Sequence, residues 1–105
     1  MESGLKYLIE VLTLEKLDSS HFVGRGSRND GAEGTYGGHL LGQSAMAAIE
    51  TVDSVKRIHS LHAYFLSAGN PGQPIDYEVE VLRDGRSFSS RKVKGKQKGK
   101  LLIEL

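Results

Sequence analysis

The sequence contains no cysteine and no tryptophan, and these absences exclude several kinds of protein. Without cysteine the chain can form neither a disulfide scaffold nor a thiolate nucleophile, nor any zinc site that needs sulfur. No apolar run approaches the roughly 18 residues of a membrane span, and the N-terminus shows no basic region followed by an apolar stretch, as a secretory signal would. The net charge of +1 argues against nucleic acid as the main partner.

The length and composition that remain describe one small folded unit. A chain of 105 residues is one compact domain or part of a larger one. Apolar residues make up 38% and charged residues 26%, which is typical of a globular chain rather than a disordered one. The last predicted strand stops at Leu105, directly after the apolar run 101–103, so we expect either a fragment or a chain that pairs through this edge.

Two amphipathic segments predict helices. Apolar side chains at residues 5, 8, 9 and 12 recur at helical spacing, so a short helix is expected to open the chain. A second helix is predicted over residues 39–52, after a polar, glycine-rich loop at residues 27–36. The side of this helix predicted to face the core carries Leu41, Ala45, Ala48 and Val52.

Extended segments predict an antiparallel sheet. Residues 75–81 alternate strictly between apolar and acidic side chains, as in a half-buried strand. Asp84-Gly85 and Lys98-Gly99 provide turns between strands. One long helix set against such strands is an α+β architecture. The predicted strands cover residues 14–26, 57–66, 75–81, 87–97 and 100–105.

The Gly37-Gly38-His39 step at the start of the second helix is the first candidate for chemistry. Two glycines allow close approach of a ligand, and the free N–H groups of a helix start can meet an anion or a developing oxyanion. A plain loop-to-helix turn is the alternative interpretation.

The histidines and serines give weaker signals. His59 and His62 lie three residues apart on one predicted strand, so they point to opposite faces and cannot bind one metal together. For His59, a structural role and a role in proton transfer or substrate contact both remain open. The serines show no nucleophile-elbow pattern, so covalent serine catalysis is unsupported. The two histidines therefore predict no shared metal site.

Charged side chains on the predicted strands have two interpretations. Lysines at alternate positions from Lys92 to Lys100 form either a solvated face, which the pattern favours, or a strip that attracts phosphate. The acidic residues of 75–81 are predicted to be surface charges. Glu50 lies near the far end of the second helix.

Four segments in one register make the chain similar to the type II acyl-CoA thioesterases. They are residues 11–17 (VLTLEKL), 37–43 (GGHLLGQ), 59–65 (HSLHAYF) and 83–88 (RDGRSF), and the resemblance covers nearly the whole chain. It implies a hot-dog fold, in which a curved antiparallel sheet wraps one long helix. It also implies that residues 1–105 form a single hot-dog unit, the N-terminal of two that this family joins in one polypeptide.

The resemblance implies a limited set of site residues. His59 matches a histidine suspected of helping catalysis, and Gly37, Gly38, His39 and Gln43 match residues expected to bind substrate. His39 replaces the family's usual glutamine, and Lys94 and Lys96 stand where the family tends to have apolar residues. The family's water-activating Asp, Ser or Thr, and Gln belong to the second unit and match nothing here.

The predicted function is therefore hydrolysis of fatty acyl-CoA to free acid and CoA, without metal or redox cofactor, when a second hot-dog unit is present. Two alternatives remain: a homo-oligomer with its own active site, and a non-catalytic acyl-CoA-binding or pairing module. The homo-oligomer needs a carboxylate near the helix start, and residues 39–49 contain none. The resemblance implies an intracellular location, peroxisomal in a eukaryote and cytoplasmic in a bacterium.

Overall fold

The computed structural model describes residues 4–27 and 37–105, which fold as two helices and one sheet. Most of the predicted loop at 27–36 lies outside the described residues. The helices are α1 (Gly4–Leu12) and α2 (Gly37–Glu50). The strands are β1 (Glu15–Lys16), β2 (His21–Gly24), β3 (Tyr64–Phe65), β4 (Ile75–Asp84), β5 (Ser89–Gln97) and β6 (Lys100–Glu104).

The six strands form one antiparallel sheet in the order β1-β2-β4-β5-β6-β3. Helix α2 packs against β2, β4 and β5, and the core lies between them. Lys98 and Gly99 both have positive φ, as a two-residue hairpin requires, so β5 turns directly into β6. One long helix on an antiparallel sheet confirms the predicted α+β, hot-dog architecture.

The alternation predicted for residues 75–81 is confirmed on β4 from Ile75 to Glu80 but is wrong at Val81, which is 53% exposed beside an irregularity in the pairing with β5. Ile75, Tyr77 and Val79 are buried, whereas Asp76 and Glu80 are exposed. Their neighbours on β5 carry the opposite charge, because Asp76 pairs with Lys96 and Glu80 with Lys92 in the strand register. These opposite-charge pairs support the solvated-face interpretation of the lysine row.

Two members of the lysine row make ion pairs with carboxylates. Lys96 Nζ lies 2.7 Å from Glu78, and Lys92 Nζ lies 3.1 Å from Glu104. The hydrogen bond from Lys96 holds the pKa of Glu78 below its usual value. The positive charge of this face is thus offset locally, which leaves it poorly suited to attract phosphate.

The strand predicted over residues 57–66 is wrong for most of its length. Only Tyr64 and Phe65 pair, with Glu104 and Ile103 of β6. Residues 57–63 form no strand, so the β-forming composition of this segment is not matched by pairing with a neighbouring strand. His59 and His62 are therefore not on opposite faces of a strand. Both line one cavity.

The core face predicted for the second helix is also wrong. The side chains of α2 that are fully buried against the sheet are Leu40, Gln43, Ser44 and Ala47. The predicted stripe is rotated from this face, and its members are only half-buried. The helical periodicity was predicted correctly, but the side of α2 that faces the sheet carries two polar residues, Gln43 and Ser44.

Candidate functional site

The N-terminus of α2 is built around two glycines. A Cβ at Gly37 would lie 3.3 Å from the ring of Phe65 on β3, so glycine lets this edge strand close against the helix start. The first N–H groups of a helix have no acceptor within the helix. The first turn of α2 carries no acidic side chain. This helix start can therefore present backbone donors to a negatively charged oxygen.

His39 and Gln43 meet at one carbonyl oxygen. The Nε2 atoms of His39 and Gln43 donate to the carbonyl of Arg25 at 2.8 and 3.0 Å. The two side chains are one helical turn apart, so they lie on the same side of α2. Their shared acceptor fixes the helix start relative to the end of β2.

Gln43 is the most completely bonded polar side chain near this helix start. It is fully buried, and its second N–H donates to the carbonyl of Val11 at 2.8 Å. Its Oε1 accepts from the hydroxyl of Tyr77 at 2.7 Å. Burial raises the pKa of Tyr77, so this hydroxyl stays protonated and donates. Gln43 thereby links α1, β2 and β4 to α2.

The glycine that faces Gln43 offers a direct test of this packing. A Cβ at Gly24 would lie 2.4–2.8 Å from the Gln43 amide atoms, so Gly24→Ala must displace a buried, hydrogen-bonded group. We expect a loss of about 1–3 kcal/mol in the free energy of unfolding, measured by urea denaturation. Gly4→Ala is the control, because a Cβ there meets nothing within 4 Å. Equal stability of the two variants would contradict the tight packing at Gly24.

His59 lies at a different place in the fold. It is exposed, and its ring packs at a tilted angle on Phe88 with centroids 5.6 Å apart. It lines a cavity of about 1020 Å³ bounded by the second half of α2, residues 52–62 and the β4–β5 hairpin. Gly37, Gly38, His39 and Gln43 do not line this cavity.

The sequence-predicted residues therefore form two groups rather than one. Gly37 and Gly38 form the N-terminus of α2, whereas the cavity lined by His59 adjoins the C-terminal half of this helix. A helix of 14 residues is about 20 Å long, so the two groups are well separated. Glu50 lies at the C-terminal end of α2, as predicted, where it is exposed and lines the cavity. Within residues 4–27 and 37–105, no three histidine or acidic side chains are grouped as metal ligands.

Arg91 is a structural residue that sequence reasoning missed. Its side chain is 5% exposed and forms an ion pair with Asp84 at 2.8 Å. Its Nε and Nη2 also donate to the hydroxyl and carbonyl of Thr51, and Nη1 donates to the carbonyls of Arg83 and Ser90. All five N–H donors are used. In the sequence this arginine looks like one more cation beside the lysine row, and no pattern marks it as buried.

Comparisons with known proteins identify the family. The family model described as "Acyl-CoA thioesterase N-terminal domain" matches residues 25–105. The mouse protein named acyl-coenzyme A thioesterase 8 is 42% identical over 93 residues, and the yeast peroxisomal acyl-coenzyme A thioester hydrolase 1 is 37% identical over 102 residues. The structure of a tesB protein from Mycobacterium avium subsp. paratuberculosis superposes with a TM-score of 0.89 at 37% identity.

These matches cover most of this chain but only a part of each relative. The aligned region makes up 89% of this chain for the mouse protein, 95% for the yeast protein and 96% for the mycobacterial structure. It makes up only 29%, 29% and 40% of those three proteins, respectively. The chain thus spans well under half the length of the relatives it matches. By family model, sequence and structure alike, it belongs to the acyl-CoA thioesterase family and matches that family's N-terminal domain.

Proposed function

We propose that this chain is the N-terminal hot-dog unit of an acyl-CoA thioesterase, which hydrolyses fatty acyl-CoA to free acid and CoA. The observation that carries the proposal is the match of residues 25–105 to the family's N-terminal domain. In the reaction, water adds to the thioester carbonyl and the C–S bond breaks. The oxygen of water stays on the acid, and the thiolate takes up a proton.

We assign to the backbone N–H groups of Gly37 and Gly38 the role of binding the oxyanion that develops on the thioester carbonyl. A helix start supplies fixed N–H donors and a positive dipole end at the point where negative charge develops. At Gly38, which is exposed, the lack of a side chain leaves the backbone open to a substrate that must approach closely. His39 borders the same site, with one ring nitrogen held by the Arg25 carbonyl.

Gln43 supports this site as a positioning residue. Both of its N–H groups are occupied by the carbonyls of Val11 and Arg25, which leaves none for a substrate. Its effect is to hold the first turns of α2 in place. For His59 we propose a contact with the substrate, because its ring is exposed at the edge of the cavity that it lines.

The groups that activate water are assigned to a second hot-dog unit. No carboxylate occurs among residues 39–49, so the first turns of α2 lack a general base of that kind. The chain also offers an edge where a second unit can pair. Tyr64, Phe65 and Leu66 at β3 are 70%, 56% and 53% exposed, an apolar sheet edge of the kind that proteins normally cover.

A second copy of this chain is the alternative partner for this edge, and it would form a homo-oligomer. A fused second unit fits better, because the relatives are about three times as long as the part matched. The location follows the source organism: the peroxisome in a eukaryote, as the yeast relative's name indicates for that protein. No helix among the described residues is both long enough and apolar enough to cross a membrane.

The test of the proposed function is direct. The complete polypeptide, which includes this chain and the proposed second unit, is incubated with palmitoyl-CoA. The released thiol and the free fatty acid are measured in the same reaction. We expect one thiol for each acid released, without added metal. Tight binding of a non-hydrolysable thioether analogue with no turnover of the thioester would instead favour the acyl-CoA-binding module, which the missing carboxylate among residues 39–49 also suits.

A further inference from the structure

One proton in the proposed reaction has no donor among the groups assigned so far. When the C–S bond of a thioester breaks, its electron pair stays on sulfur, and the thiolate takes up a proton. The backbone N–H groups at the start of α2 bind an oxyanion but keep their hydrogens. Residues 39–49 contain one titratable side chain, His39. Histidine is the side chain that most often transfers protons in enzymes.

The ring of His39 is fixed through one of its two nitrogens. Its Nε2 lies 2.8 Å from the carbonyl oxygen of Arg25. A carbonyl oxygen only accepts hydrogen bonds, so Nε2 is a nitrogen that carries a hydrogen. The same oxygen accepts from Gln43 at 3.0 Å, and it belongs to the residue directly after β2. The ring is therefore held in a defined position beside the first turn of α2.

The other ring nitrogen of His39, Nδ1, is available for proton transfer. Within residues 4–27 and 37–105, the hydrogen bond to Arg25 is the one that this ring makes. With a hydrogen on Nε2, the neutral ring has a lone pair on Nδ1, and the imidazolium has a hydrogen on both nitrogens. Loss of the Nδ1 proton thus leaves the tautomer that the Arg25 carbonyl stabilises. His39 is partly exposed and follows exposed Gly38, so solvent and substrate can reach this part of α2.

The other polar side chains described beside this helix start cannot supply the proton. The guanidinium of Arg25 does not deprotonate in proteins, and it is paired with Glu10 of α1 at 2.8 Å. The hydroxyl of Tyr77 is buried and donates to Gln43 at 2.7 Å. The amide of Gln43 is not an acid, and both of its N–H groups are bonded to carbonyls.

We propose that His39 is the general acid that protonates the leaving thiolate of CoA. This inference rests on the proposed function and adds a catalytic residue to that site. As the C–S bond breaks, the electron pair moves to sulfur, and the imidazolium transfers its Nδ1 proton to that sulfur. The Nε2 hydrogen stays on the Arg25 carbonyl. The proton that the attacking water gave to the base of the second unit returns through solvent to His39, so one water is consumed and one acid and one thiol are released.

The test compares palmitoyl-CoA with its selenoester analogue, in which selenium replaces the reacting sulfur. A selenol is a stronger acid than a thiol, and a leaving group of lower pKa departs faster, so the selenolate needs less help from a proton donor. His39→Gln in the complete polypeptide keeps a donor for the Arg25 carbonyl but removes the titratable ring. We expect kcat to fall about 100-fold or more with palmitoyl-CoA and by no more than a few-fold with the selenoester.

Two further variants serve as comparisons. Gly38→Pro removes an oxyanion donor that both substrates need, so its loss of kcat should be similar for the two substrates. His21→Gln makes the same substitution at an exposed histidine that begins β2, and it should leave both rates unchanged.

Equal losses with the two substrates in His39→Gln would overturn the inference, because they would indicate that His39 only holds the helix start or activates water. A kcat for palmitoyl-CoA within a few-fold of the natural protein would overturn it as well. If thermal unfolding shows that His39→Gln does not fold, His39→Asn takes its place, with the same difference expected and the same contrary result. If the natural protein hydrolyses neither substrate, the proposed function fails, and the role of His39 fails with it.

Discussion

Gly38→Pro is expected to lower kcat for acyl-CoA hydrolysis by on the order of 100-fold in the complete polypeptide. Proline deletes the backbone N–H at this position, and loss of one oxyanion donor typically costs about 100- to 1,000-fold in kcat. The first turn of a helix tolerates proline, because that N–H has no intrahelical acceptor. Gly38 lies in the first turn of α2 and is exposed. The substitution therefore removes a donor while leaving the helix in place.

Gly38→Ala is the matched control for this experiment. It changes the side chain but keeps the N–H, so kcat should stay within a few-fold of the natural protein. Thermal unfolding of both variants shows whether the helix start has been disturbed. If proline and alanine at position 38 leave kcat equally high, backbone donation by Gly38 is excluded.

Gln43→Leu is expected to lower the free energy of unfolding by about 2–4 kcal/mol. Leucine removes the partners of the Val11 carbonyl and the Tyr77 hydroxyl, and each buried polar group left unpaired costs about 1–3 kcal/mol. The Arg25 carbonyl keeps its bond from His39. Urea denaturation monitored by circular dichroism measures the loss.

Two further substitutions separate the polar contribution of Gln43 from general packing. Ser44→Ala changes an adjacent, equally buried residue whose hydroxyl has no hydrogen-bond partner, so we expect no loss of stability. Tyr77→Phe removes one bond of the network, and combined with Gln43→Leu it should cost less than the sum of the single changes. Additive losses in this cycle would refute direct coupling of Tyr77 and Gln43.

The strands with strict alternation were predictable because two-residue periodicity is a local signal. On β4 the buried and exposed faces follow the sequence from Ile75 to Glu80, and the predicted turn at Lys98-Gly99 has the positive φ angles of a tight hairpin. Residues 57–66 have the same composition as a strand, yet only Tyr64 and Phe65 pair. Pairing depends on where the neighbouring strand lies, and composition does not contain that information.

The candidate site was predictable in part for a similar reason. Gly37 and Gly38 mark a helix start through their own backbone properties, and the structure places α2 there. The burial of Gln43 was not predictable, because its partners are carbonyls from α1 and the end of β2 together with a hydroxyl from β4. The separation of His59 from the glycines likewise follows from the path of the chain after α2, and the sequence pattern does not specify that path.

If, as we propose, this chain frames the site while a second hot-dog unit supplies the groups that activate water, residues 1–105 should not hydrolyse acyl-CoA by themselves. Thiol release from palmitoyl-CoA is measured for residues 1–105 alone and for the complete polypeptide, at equal molar concentrations. We expect robust hydrolysis by the complete polypeptide and, for residues 1–105, a rate no higher than that of buffer. Equal, robust hydrolysis by residues 1–105 would contradict it and would place a complete water-activating set within this chain.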